Sequence, residues 1–154
     1  MRKLYILIGR VSFVLLLPLL RIYLKDSQRV YLSIVYQGKI ILVKNWLARD
    51  TWRLPGGGIG KNETPKQAVL REAKEELRLV LQEVKLATLN SGTMQVDGLG
   101  FHYTNYVYVM DTFPRRLENQ YEIVEYGLFD EAPHGSQPVV HEVIDLLRQQ
   151  KLLY

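Results

Sequence analysis

Four acidic residues crowd one short stretch of this chain: Glu63, Glu72, Glu75 and Glu76. Residues three and four apart share a helix face, so Glu72 can bring its carboxylate toward those of Glu75 and Glu76. Like charges at that spacing cost a helix about a few tenths of a kcal/mol each. On carboxylates alone, a solvated acidic face screened by Arg71 and Lys74 is the simpler reading. The preceding residues shift that balance. Pro55-Gly56-Gly57-Gly58 lets backbone approach backbone closely and can aim a carbonyl at a neighbouring group. A glycine loop entering a helix with converging carboxylates offers the all-oxygen surroundings that hard divalent cations take. Such a centre would neutralise a diphosphate and activate a water. The chain has no cysteine, so any metal must sit on oxygen or histidine.

The elements that must position these groups are readable in outline. A helix is expected from Thr64 to about Leu77. Thr64 is its N-cap, Pro65 opens it and Gln67 completes a capping box. Ala68, Val69, Ala73 and Leu77 can form its apolar stripe. Val30–Tyr36 and Ile40–Val43 read as a hairpin, with Gly38 of Gln37-Gly38 supplying a positive φ. Residues 45–53 read as a polar loop. Val80–Leu89, Phe101–Met110 and Ile123–Phe129 read as strands, and Ser91–Gly100 as a turn or mobile loop. Val139–Leu147 reads as an amphipathic C-terminal helix. Strands and helices mixed in this order imply a mixed sheet between helical layers. At 154 residues, one domain is expected.

The stretch Gly57–Leu79 resembles the Nudix box, G-x5-E-x7-R-E-U-x-E-E-x-G-U, with U apolar. Gly57, Glu63, Arg71-Glu72, Ala73, Glu75-Glu76 and Leu79 match, and Arg78 stands where the family has glycine. The lead-in Trp52-Arg53-Leu54-Pro55-Gly56 is also similar to the family's. The resemblance implies an α/β/α sandwich with a mixed β-sheet over residues 27–154, following a basic, apolar leader at residues 1–26. It implies a metal-dependent hydrolase of a nucleoside diphosphate linked to another group. Glu72, Glu75 and Glu76, with the Gly57 carbonyl, would hold Mg²⁺ or Mn²⁺; Glu72 would alternatively orient or deprotonate water. Arg71 would pair with Glu63 and hold the loop against the helix. Glu118 and Glu122 are candidates for a further acidic residue outside the box. The alternative is a Nudix-fold nucleotide-binding module without turnover. At position 78, arginine would either take a left-handed conformation at a cost of about 1 kcal/mol or let the helix run on. It lies outside the implied ligand set, so activity should survive it.

Other residues carry weaker expectations. Trp46, Trp52, Phe101 and Tyr103 would either stack on a nucleobase or fill the core. Arg53, beside Trp52, is a further candidate substrate contact. His102 reads as a strand residue, and His134 and His141 as surface. No Walker loop or nucleophilic serine motif occurs.

The net charge of +4 belongs to residues 1–26, where Arg2, Lys3, Arg10, Arg21 and Lys25 face Asp26 alone. That localisation argues against general nucleic-acid binding, and no DNA partner is expected. The apolar run Val11–Leu20 is ten residues long, against the roughly 20 a spanning helix needs. Three placements stay open for this leader. It would lie in the membrane interface, pack on the domain or on a second copy to form a homodimer, or span with Arg10 near an end. The expected location is the cytoplasm, with a peripheral or an anchored placement at the inner membrane face left open.

Overall fold

The computed structural model describes residues 27–45, 51–96, 99–113 and 123–154. The leader, Trp46, Glu118 and Glu122 lie outside these residues, and with them the expectations placed on them. The elements are β1 (Ser27–Tyr36), β2 (Lys39–Asn45), β3 (Gly56–Gly58), α1 (Pro65–Leu77), β4 (Ala87–Val96), β5 (Leu99–Met110), β6 (Ile123–Phe129) and α2 (Pro138–Gln149). The strands form one sheet in the order β4-β5-β1-β2-β6, with β3 also on β1. The β1–β5 pair is parallel and the others are antiparallel, so the sheet is mixed as expected.

The β1–β2 hairpin turns at Gln37-Gly38, both with positive φ (48° and 69°). Two such residues make the turn whose twist matches that of the strands it joins. The hairpin then opens. Its legs pair at Val35–Ile40 and Tyr36–Lys39, and the segment Trp52–Gly58 threads between them. Arg53 exchanges two backbone hydrogen bonds with Val43, Leu32 N–H donates to the Pro55 carbonyl, and β3 pairs with Arg29–Tyr31. The glycine loop is therefore built into the sheet rather than hung from it.

The α/β/α layering is present. Val30, Leu32, Ile34, Ile41 and Val43 pack beneath Ala68, Val69, Ala73 and Leu77 of α1. Tyr31, Val35, Ile40 and Leu42 face the other way, onto Val140, Val143, Ile144 and Leu147 of α2. Because β1 is buried on both faces, it reads as a nearly unbroken apolar run rather than an alternation.

Two expected spans differ. Residues 80–86 are not strand. Leu79 and Leu86 are buried, whereas Val80 and Val84 are 86% and 91% exposed around a short 3₁₀ turn at Glu83–Lys85. Valine favours a strand only where a pleated, half-buried surface receives it, and pairing with β5 starts at Ala87. Residues 91–96 and 99–100, expected as a loop, are instead the ends of the long β4–β5 pair. Gly92 belongs in that strand because a Cβ would sit 3.1 Å from the Tyr103 ring.

Candidate functional site

Two of the three loop glycines are required by contact. Gly56 has φ 141°, and a Cβ there would overlap the Val30 carbonyl across the β1–β3 ladder. A Cβ on Gly57 would overlap the Glu72 carboxylate. At Gly58 the space is open. The loop thus presses its backbone against one carboxylate of α1.

Helix α1 starts as its capping signal predicts. Gln67 N–H donates to Thr64 Oγ1 (3.2 Å) and Thr64 N–H to Gln67 Oε1 (2.8 Å). It ends at Arg78, which adopts the left-handed conformation (φ 56°, ψ 28°) rather than continuing the helix. Its N–H reaches the Lys74 carbonyl and that of Leu79 reaches Ala73, which satisfies orphan carbonyls of the last turn. The strained alternative is the one adopted.

Arg71 is the hub of the site. Its Nε and Nη2 fork the two oxygens of Glu63 at 2.9 and 3.1 Å. Nη2 also donates to the Gly58 carbonyl at 2.9 Å, and Nη1 to Glu72 and Glu75, each at 2.8 Å. This is the loop-to-helix clamp implied by the resemblance. Bidentate charge-assisted bonds of this kind are the strong ones. The Arg71 guanidinium, then the Gly60 N–H (2.8 Å), holds the Glu63 carboxyl below the usual range. The carboxylates hold Arg71 protonated beyond its ordinary strength, Glu63 first.

Glu76 is 4% exposed, the deepest of the four. Its Oε2 accepts from Gly56 N–H at 2.8 Å, and its Oε1 lies 4.0 Å from Arg53 Nη2. Arg53 Nη2 also donates to the Gly56 carbonyl at 3.3 Å, while its Nε is buried without a hydrogen-bond partner. Arg53 is therefore beside the carboxylates, under α1.

The three aromatic candidates among the described residues are largely buried. Trp52, Phe101 and Tyr103 are 9%, 6% and 5% exposed, and all belong to the core under α2. Trp52 packs edge-on against Phe129, Arg29 lies over Phe101, and Tyr103 meets Tyr31 edge-on. These rings belong to the layer under α2, and Phe101 and Tyr103 also line shallow cavities at the β4–β5 end of the sheet. His102 lies on β5 as a strand residue.

The carboxylates do not close on a single point in this structure. Glu72 and Glu75 both lean onto Arg71, and Glu76 turns to Gly56. Like charges converge only around a cation, and here the guanidinium is that cation. The donor set still fits a hard divalent metal. Every group is oxygen, and the glycine at 57 admits its backbone to Glu72 where any side chain would intrude.

The NUDIX domain model matches residues 26–144. An RNA pyrophosphohydrolase of Hydrogenovibrio crunogenus is 46% identical over 50 residues, which cover 32% of this chain and 30% of that protein. The chain thus spans about a third of the length of the RNA pyrophosphohydrolases it matches. A low-salt glycan biosynthesis protein of Haloferax volcanii is 32% identical over 124 residues, 77% of this chain and 80% of that one. The MutT NUDIX hydrolase structure from Burkholderia pseudomallei superposes with a TM-score of 0.65 at 25% identity, covering 80% of this chain and 98% of its own. With box, fold and family model in agreement, the chain belongs to the Nudix family.

Proposed function

We propose that this protein hydrolyses a diphosphate linkage in a nucleoside diphosphate joined to a second group, using Mg²⁺ or Mn²⁺. The observation that carries this reading is the set of Glu72, Glu75 and Glu76 on one helix, with Glu72 held against the Gly57 backbone. Glu72, Glu75, Glu76 and the Gly57 carbonyl would hold the metal. A bound divalent cation supplies charge neutralisation of the diphosphate and lowers the pKa of a water.

The chain's own residues do the rest. Glu76, fixed by the Gly56 N–H, keeps one oxygen directed away from that bond. Glu72 lies against Gly57 and can hold the attacking water or take its proton as the water adds to phosphorus and the bridging P–O bond breaks, its oxygen leaving with the other phosphate. Arg71 and Glu63 are positioning residues that keep loop and helix in register. Arg53, whose Nη2 lies 4.0 Å from Glu76 Oε1, would be a further contact for an anionic oxygen of the substrate.

The test is hydrolysis of a panel holding nucleoside triphosphates, dinucleoside polyphosphates, nucleotide sugars and 5′-phosphorylated RNA, with and without Mg²⁺ or Mn²⁺. Activity is expected with metal alone, and Glu76→Gln should lower it by roughly 100-fold or more. Glutamine can still accept from Gly56, so the fold should hold. Turnover that ignores both the metal and this substitution would leave a binding module without catalysis.

A further inference from the structure

We infer that Arg78 and Lys74 form an anion subsite for a further phosphate of the substrate, beyond the two that flank the scissile bond. The inference rests on the diphosphate-hydrolase reading of the adjoining carboxylates.

A cavity of about 550 Å³ runs along the outer side of α1, lined by Arg71, Lys74, Glu75 and Arg78 on the helix and by Val80 and Leu81 beyond it. Residues 71, 74, 75 and 78 are spaced i, i+3, i+4, i+7, so they form one stripe leading from the site to the helix end. Along it, Glu75 is bonded to Arg71, which is itself committed to Glu63, Glu72 and the Gly58 carbonyl. Among the described residues, Lys74 and Arg78 have no ion-pair partner. The stripe therefore leaves two cations uncompensated, directly after a carboxylate proposed to hold metal and diphosphate.

Arg78 stands in a left-handed conformation that glycine would adopt without strain. Complementing the helix dipole does not call for it, because Lys74 already supplies a cation in the last turn. Strain retained beside a charged cavity points to a use for the side chain. A guanidinium fork matches phosphate oxygens and can hold two of them at once.

The test is calorimetric titration in Mg²⁺ with two probes that hold no cleavable anhydride, α,β-methylene ADP and the ATP analogue with methylene groups at both the α,β and β,γ bridges. The intact protein should bind the ATP analogue about 10-fold or more tightly than the ADP analogue. Arg78→Gly should abolish most of that preference while raising Tm by roughly 2–4 °C, because glycine relieves the left-handed strain. Lys74→Gln should reduce the preference too. Affinity and stability moving in opposite directions excludes misfolding as the cause. If the ADP analogue binds and the ATP analogue binds no better, the subsite is wrong and the hydrolase reading stands. A preference that survives both substitutions also overturns the subsite. If neither analogue binds in Mg²⁺, the diphosphate reading itself falls, and the subsite with it.

Discussion

A methyl group added at residue 57 would overlap Glu72 Oε1 and Cδ, the movable end of a side chain rather than backbone. The fold can yield there at little cost, but the carboxylate must leave its place. Gly57→Ala should therefore leave Tm nearly unchanged and sharply reduce turnover, by about 10- to 100-fold if the group orients a ligand. Equal activity in the variant would mean that the close approach of Gly57 to Glu72 plays no part in the site. At this scale much was legible in the amino-acid pattern. The pairing of Arg71 with Glu63 followed from the resemblance, and the candidate carboxylates were named by spacing. The partners of Arg53 and Glu76 were not legible, because Arg53 reaches Glu76 only after both have packed against the same loop. The aromatic residues show the converse. Composition allows a buried ring and a stacking ring equally, and only the sheet's two faces assign Trp52, Phe101 and Tyr103 to the layer under α2.

The element that matters most is α1. Thr64 and Gln67 satisfy each other's backbone N–H groups, and the same turn holds Glu63, whose carboxylate accepts from Gly60. Loss of this cap should cost about 1 kcal/mol. Thr64→Ala is accordingly expected to lower Tm by roughly 2–4 °C, measured by thermal unfolding. No change would show that packing of Ala68, Val69 and Leu77 alone sustains the first turn. Start signals of this kind are local, so the helix began where its sequence placed it. Its end was a choice between strain and extension that Arg78 left open. Burial of Leu77 and Leu79 under the sheet resolves it, since both insert only if the chain turns between them. The span 80–86 departs from a strand for a related reason. Its valines satisfy a strand's composition, but β5 accepts β4 only from Ala87 onward.

At the scale of the whole molecule, the prediction concerns the basic, apolar leader, residues 1–26. Five cations against one acid, beside a ten-residue apolar run, suit a helix lying at an anionic lipid surface. Among the described residues no helix is long and apolar enough to cross a membrane. Removal of residues 1–24 should abolish co-sedimentation with vesicles containing anionic lipid and preserve hydrolysis. A truncated chain that fails to fold would instead make the leader part of the core. The sheet itself predicts where tolerance ends, because β1 begins at Ser27 and pairs in parallel with β5 from Phe101 onward.

By itself the sequence determined the features that depend on neighbours along the chain. Helical spacing put Glu72, Glu75 and Glu76 on α1, the Thr64–Gln67 box started that helix, and Gln37-Gly38 turned the first hairpin. The box of fixed positions also identified the family. Tertiary structure alone decided how these pieces meet. It inserted Trp52–Gly58 between the legs of β1 and β2, sent the aromatic rings to the far layer, and ended the helix at a strained arginine. Each of those outcomes rests on contacts between residues far apart in sequence, where burial and hydrogen bonding select among conformations that local preference leaves nearly equal.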